Sequence, residues 1–177
     1  MNARIALIGG QGYPITETQA GLPALKTRLN AAGVDTGAGP FPHTARQQIR
    51  DWLHGYKGFR GLIGDSLGAG ASGIYAGDLD ETVNFVGGFQ PSAFDPVGQG
   101  PVMARTIAVA ANVIEAHCIW NPWWVETGGL GNARYTISSK SKTRLTTTEH
   151  HGAHPDDWGW SQDLMFNHVM QAIKAVK

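Results

Sequence analysis

The chain has 177 residues, of which 42% are hydrophobic and 16% charged, and its 14 basic and 14 acidic side chains give a formal net charge of zero. A chain of this length can bury a sizeable apolar core, and we expect a single domain over 1–177. Balanced charge argues against a nucleic-acid partner, and no apolar run reaches the roughly 18 residues typical of a membrane span.

Strand and helix patterns alternate along the chain. In chain order the sequence predicts a strand at 4–8, a helix at 18–32, a weak strand at 34–39, a helix at 44–56 capped by Thr44, a strand at 59–63, a helix at 69–79, a strand at 82–87, a helix at 103–112, strands at 113–120 and 144–148, and a helix at 161–176. The polar stretch at 138–148 is expected to be an edge or mobile segment. This alternation predicts an α/β fold, a three-layer sandwich with a mostly parallel sheet and helices on both faces.

The cellular compartment is indicated by two features. The first apolar run, at 5–8, leads straight into Gly9 and Gly10, which is typical of a strand and not of a signal peptide. Cys118 is the only cysteine, so no internal disulfide can form and a reducing compartment fits. Its apolar neighbours favour a small buried hydrophobe over a nucleophile. We therefore expect a cytoplasmic protein.

The most specific motif is G-x-S-x-G, formed by Gly64, Ser66 and Gly68 between the 59–63 strand and a small-residue helix. A serine on a sharp strand-to-helix turn has a strained backbone, which holds its hydroxyl clear of the sheet and ready to attack a carbonyl. The two glycines leave room for the neighbouring strand and helix. Because the chain has 24 glycines, a glycine-rich turn that happens to contain a serine is the alternative. The flanking strand and helix favour a nucleophile elbow.

With this elbow and this order of elements, the chain resembles a small, lipase-like serine esterase of the α/β-hydrolase superfamily. It looks like a minimal form, since the nucleophile strand is the third strand and not the fifth. The resemblance implies a catalytic triad in the order Ser, Asp or Glu, His, on loops at the carboxyl end of the sheet. Open α/β sheets place their sites at that edge in general. It further implies hydrolysis of a small ester or acyl substrate, without a cofactor.

The general base is expected after the last strand, where the chain has His150, His151 and His154. We prefer His154, because it lies on the loop side of the strand and the following Pro155 holds it extended. The alternatives are three solvated histidines or a metal site formed by them. A metal site there would need ligands from elsewhere, so we expect none.

The triad acid and the oxyanion hole are less sharply indicated. Asp95 follows the strand after the elbow helix, a position that lipase-like members use, and Glu126 follows the next strand, the commoner position in the superfamily. We prefer Asp95, although a turn role is open for both residues. The resemblance implies that the N–H groups of Leu67 and Gln11 form the oxyanion hole. A phosphate-binding turn at 9–12 does not match the usual glycine spacing.

Five of the six tryptophans lie in two clusters, at 120–124 and 158–160, which flank the proposed acid and base segments. They are expected to contact an acyl chain or a sugar, or else to fill the core or a contact in a homo-oligomer.

Two other function classes are open. One is an SGNH-type esterase, because residues 64–67 spell GDSL; that family, however, has its block on the first strand and a D-x-x-H motif, whereas His151 stands three residues before His154. The other is a catalytically silent domain used for binding or assembly.

Overall fold

The computed structural model describes residues 2–10, 21–93, 104–120, 133–149 and 159–176. Strands and helices alternate along most of the chain. They are β1 (Ala3–Gly9), α1 (Gly21–Ala31), β2 (Phe41–Pro42), α2 (Arg46–Leu53), β3 (Phe59–Asp65), α3 (Leu67–Tyr75) with a short 3-10 turn (Ala76–Asp78), β4 (Val83–Phe89), β5 (Thr106–Ala108), β6 (Val113–Trp120), β7 (Arg134–Thr136), β8 (Arg144–Glu149) and α4 (Gly159–Ala175).

Within the described residues, six strands form one parallel sheet in the order β2-β1-β3-β4-β6-β8, and β5 pairs with β7 in a separate two-stranded parallel sheet. The central strand β3 has β1 on one side and β4 on the other, with Ile63 paired to Leu7 and to Gly87. Because all six strands of the main sheet run in the same direction, their carboxyl ends share one edge, and the β3–α3 junction lies near the middle of that edge.

Helices cover both faces of the sheet, which gives three layers. On one face α2 and α3 pack against side chains such as Ile8 and Val86. On the other face α1 and α4 pack against Ile5, Leu7 and Phe85. Alternate residues of β1 therefore enter different cores, as expected for a parallel strand buried on both sides. The α/β class and the helices on both faces are as predicted.

Most predicted elements are present, with shifted ends. Both the 4–8 and the 59–63 strands are two residues longer than predicted, and the 113–120 strand has the predicted bounds. The predicted final helix also forms, starting at Gly159. The polar β8 lies at the edge of the sheet, as expected for 138–148.

The helix predicted at 103–112 is wrong. The described part of that stretch holds strand β5 and a turn. Thr106, Ile107 and Ala108 alternate exposed, buried and exposed, and Ile107 packs beside Gly73 of α3. The Asn112 amide nitrogen lies within 3.0 Å of three carbonyl oxygens of residues 76–81, so its side chain holds the turn into β6. This tertiary contact outweighs the helix propensity of the alanines.

Two smaller predictions are also wrong. Within the predicted 34–39 strand only Asp35 bridges to β1, because Gly37 has φ +56° and turns the chain; Phe41–Pro42 pairs with β1 instead. Thr44 does not cap α2, since the N-cap is Ala45, without a side-chain hydrogen bond. Among the described helices none is long and apolar enough to cross a membrane.

Candidate active site

Ser66 is the single residue between β3 and α3, and its backbone is strained. β3 ends at Asp65 and α3 begins at Leu67. The Ser66 dihedral angles are φ 53° and ψ −118°. A residue with a side chain rarely adopts such angles, which cost roughly 1–3 kcal/mol. Ser66 is half-buried at the carboxyl edge of the sheet. We call residues 64–68 the Ser66 turn.

Close packing explains the glycines of this turn. A Cβ atom on Gly64 would stand 2.0 Å from the Gly68 carbonyl oxygen, and one on Gly68 would stand 2.0 Å from the Ile8 carbonyl oxygen. Such distances are far inside van der Waals contact. Gly10, after β1, is also close, since its Cβ would lie 3.0 Å from the Ser66 Cβ. Gly10 therefore lies directly beside Ser66.

Backbone hydrogen bonds hold Ser66 in place. Its N–H donates to the Phe89 carbonyl oxygen at the end of β4, at 3.0 Å. Its own carbonyl oxygen accepts from the N–H groups of Ala69 and Gly70 at 3.1 Å and of Ser92 at 3.0 Å. The strained conformation is thus fixed by α3 on one side and by the end of β4 on the other.

Ser92 also contacts the Ser66 side chain. The two Oγ atoms lie 3.1 Å apart, and Ser92 is only 2% exposed. Two residues earlier, Gln90 has φ 44° and donates its N–H to the Ile119 carbonyl oxygen at 2.8 Å. A second strained residue therefore directs the chain from β4 back toward Ser66. Ser92 was not predicted as a site residue from the sequence, although its position shortly after the strand that follows the elbow helix was a usable signal.

A buried hydroxyl network supports the start of α3. The Tyr135 hydroxyl of β7 donates to the Ala69 carbonyl oxygen at 2.6 Å and lies 2.8 Å from the Ser72 Oγ. Burial raises the pKa of Tyr135, so its hydroxyl stays protonated and available as a donor. These hydrogen bonds hold the start of α3, whose N–H groups at Ala69 and Gly70 bond the Ser66 carbonyl oxygen.

Of the other residues predicted for the site, the structure describes only Leu67. It is the first residue of α3, so its N–H has no acceptor within the helix. The remaining predicted residues and their alternatives lie outside the described residues: Gln11, Asp95, Glu126, His150, His151 and His154.

Two of the five clustered tryptophans are described. Trp120 ends β6 and is 5% exposed, with the Arg134 guanidinium 3.6 Å from its ring centroid. Trp160, at the start of α4, is 43% exposed. Trp123, Trp124 and Trp158 lie outside the described residues.

Cys118 is 1% exposed, and burial raises the pKa of its thiol to about 11. A thiol with that pKa stays protonated near neutral pH and is a poor nucleophile. The expectation of a buried small hydrophobe is confirmed.

A second group of chemically active side chains lies away from Ser66. Glu115 and His117 of β6 meet His168 of α4, and the ligand atoms of all three lie within 4.8 Å of one another. Burial lowers the pKa of both histidines. The pKa of Glu115 is also lowered, because hydrogen bonds from His117 and Arg144 outweigh the opposing effect of burial. This group was not predicted from the sequence, in which its only local signal is the E-x-H spacing of Glu115 and His117.

Comparison with known proteins adds no assignment: no family model matches the chain, and no curated protein sequence matches it.

Proposed function

We propose that the protein is a serine hydrolase that cleaves a carboxylic ester by acyl transfer through Ser66. The observation that carries the proposal is the Ser66 turn. A serine with positive φ stands between a central parallel strand and the following helix, flanked by two glycines that tolerate no Cβ atom. A glycine-rich turn that only happens to contain a serine has no need of this strain.

In the proposed reaction, the Ser66 Oγ attacks the ester carbonyl carbon while its proton passes to His154. The negative oxygen of the tetrahedral intermediate accepts hydrogen bonds from the N–H groups of Leu67 and Gln11. Collapse of the intermediate breaks the bond to the leaving oxygen, which takes the proton from His154 and departs as an alcohol. Water then attacks the acyl-enzyme by the same route and releases the carboxylic acid.

The topology supports the assigned partners of Ser66. Asp95 comes six residues after Phe89, the last residue of β4, and His154 comes five residues after Glu149, the last residue of β8. Both strands end at the edge of the sheet that carries Ser66. Chain segments that leave this edge are the usual source of site residues in parallel α/β sheets. The acid is proposed as Asp95, with Glu126, six residues after the end of β6, as the alternative.

The order of strands weighs against the SGNH-type alternative, because the GDSL block begins at the end of β3 and not at the end of the first strand. The catalytically silent alternative differs from the proposal in one chemical respect: a silent domain would not react with an activated electrophile at Ser66.

A fluorophosphonate probe and p-nitrophenyl esters of rising chain length test the proposal. The wild-type protein should be labelled and should hydrolyse at least one ester, whereas Ser66→Ala should lose both properties and stay folded. His154→Ala should match that loss, because triad residues act as a unit. The control is Ser139→Ala, which removes an exposed hydroxyl distant in sequence from the site. Labelling that persists in Ser66→Ala would refute the proposal, and a wild-type protein that is not labelled would favour the silent domain.

A further inference from the structure

We propose that Glu115, His117 and His168 form a binding site for a divalent transition-metal ion, with Zn²⁺ as the best fit. The site is separate from Ser66 and does not depend on the proposed hydrolysis. It would join the sheet to the C-terminal helix.

Strand geometry places two of the ligands together. Glu115 and His117 are two residues apart on β6, so their side chains leave the same face of the sheet. That face is covered by α4, which contributes His168 along with the buried Met165 and Val169. A half-buried polar group thus lies between β6 and a face of α4 that also buries apolar side chains.

The three ligand side chains are close together, although the two rings are not yet arranged around an ion. The His117 Nε2 lies 2.8 Å from the Glu115 Oε1. The His117 and His168 rings are in contact, with centroids 3.8 Å apart, whereas two imidazoles on one zinc ion have centroids roughly 5 Å apart, so the His168 ring has to rotate on binding. Bonds of about 2.0–2.2 Å to zinc place neighbouring ligand atoms about 3.3 Å apart. Because all three ligand atoms already lie within 4.8 Å of one another, side-chain rotations of His168 and Glu115 close the shell. The ion takes the place of the hydrogen between Nε2 and Oε1. The neutral imidazole keeps its one N–H proton, which moves from Nε2 to Nδ1, so no net proton is released.

Neighbouring side chains orient the ligands. The Arg144 guanidinium lies 2.5 Å from the Glu115 Oε2, which leaves Oε1 directed at His117. The Phe85 ring stacks on His117 with centroids 5.2 Å apart. Contacts of this kind fix the orientation of metal ligands in characterised sites.

The donor set indicates the class of ion. Two imidazole nitrogens and one carboxylate oxygen suit Zn²⁺ and its neighbours in the first transition row, whereas Ca²⁺ and Mg²⁺ prefer oxygen ligands only. Three protein ligands leave a fourth position for water.

The strand register separates this site from Ser66. His117 pairs with Gly87, and Gly87 pairs with Ile63, so His117 lies two strands away from β3 and in the row of Ile63. Ser66 is three residues beyond that row, about 10 Å along the strand. The ion therefore cannot contact the Ser66 hydroxyl, and its expected effect is on stability.

Metal titration of the full chain tests the site. After treatment with a chelator and its removal, calorimetric titration with Zn²⁺ should show one site per chain, and Co²⁺ should give the visible absorption bands of a low-coordinate nitrogen-and-oxygen site. His168→Gln and Glu115→Gln should each weaken Zn²⁺ binding at least tenfold and alter the Co²⁺ spectrum. Circular dichroism of the metal-free variants confirms that they are folded.

His54→Gln is the matched control. His54 also faces a carboxylate, with its Nδ1 3.5 Å from the Glu81 Oε2, but no third ligand joins this pair within the described residues. Its Zn²⁺ affinity should equal that of the wild type. The proposal is overturned if the wild type binds no Zn²⁺, or if binding survives both ligand variants and is lost only when His150, His151 and His154 are replaced. Because probe labelling of Ser66 should persist in the metal-free protein, the two proposals fail separately.

Discussion

The Ser66 turn and the Glu115–His117–His168 group, called the histidine group below, are both candidate functional sites, but their geometries are fixed in opposite ways. The Ser66 turn consists of neighbouring residues, and its geometry comes from glycines and backbone hydrogen bonds. The histidine group brings together side chains from β6 and from α4, some 50 residues later, and its geometry comes from side-chain packing. Strain persists in the first region because surrounding backbone contacts determine it. Burial of the ionisable side chains of Glu115 and His117 is tolerated in the second region because they form a hydrogen bond with each other.

The position of the histidine group on the sheet bears directly on catalysis at Ser66. His117 and Glu115 form a histidine–carboxylate hydrogen bond of 2.8 Å, but through Nε2, whereas a triad histidine bonds its acid through Nδ1. Distance along the sheet nevertheless keeps this pair away from Ser66, since a general base must lie within about 3 Å of the hydroxyl. A histidine–carboxylate pair therefore indicates a catalytic role only where its position on the sheet brings it to the nucleophile.

The largest expected effect concerns the acid at the Ser66 edge. Asp95→Asn should lower kcat for ester hydrolysis by roughly three to four orders of magnitude, because the amide favours the wrong imidazole tautomer. Glu126→Gln should change kcat little, and so should Glu115→Gln, whose carboxylate serves the histidine group. Steady-state kinetics on p-nitrophenyl esters measure all three.

A large loss in Glu126→Gln with normal activity in Asp95→Asn would reverse the acid assignment. A large loss in Glu115→Gln would contradict the separation of the two regions.

Because close backbone packing fixes the Ser66 turn, we expect a side chain added to one of its glycines to lower stability strongly. Gly68→Ala should lower the free energy of unfolding by about 3 kcal/mol or more and abolish probe labelling, because its Cβ meets the Ile8 carbonyl oxygen at 2.0 Å. Gly159→Ala is the control, since a Cβ there meets nothing within 4 Å. Urea denaturation measures both variants. Equal free energies of unfolding for the two variants would mean that the turn accommodates the added Cβ atom without loss of stability.

Because the histidine group consists of packed, ionisable side chains, we expect the stability of the metal-free protein to depend on pH. Because burial lowers the pKa of His117 and His168 in the folded state, the unfolded chain binds more protons once the pH falls below about the ordinary histidine value of 6.5. The free energy of unfolding should therefore decline as the pH falls from about 7.5 to 5.5.

The charged groups that face these histidines are the carboxylate of Glu115, whose pKa is lowered, and the guanidinium of Arg144. Denaturation curves recorded with a chelator at several pH values measure the effect. His168→Gln should reduce the pH dependence, and an unchanged slope would count against burial as its cause.

The smallest expected effect belongs to Ser92. Ser92→Ala removes the hydroxyl 3.1 Å from the Ser66 Oγ and keeps the backbone bond between the two residues. A lost hydrogen bond worth about 1 kcal/mol should slow probe labelling about fivefold. Second-order labelling rates measure it, with Ser139→Ala as the unaffected reference. A loss as complete as in Ser66→Ala would make Ser92 part of the reacting group.

Local sequence was sufficient for much of this protein. The alternation of elements predicted the α/β class, and the bounds of β6 were predicted without error. The strand-turn-helix around Ser66 was also predictable, because strain, glycines and flanking elements are encoded within about ten consecutive residues. Such features depend on short-range sterics and on the period of the apolar pattern.

Tertiary structure decided the rest. The stretch around Ile107 became a strand because its burial against α3 and its pairing with β7 outweigh the helix propensity of the alanines. Ser92 reaches Ser66, and His168 reaches His117, only because the parallel sheet and its covering helices bring distant parts of the chain together. Contacts of this kind leave little trace in local sequence, since they depend on strand register and helix packing rather than on neighbouring residues.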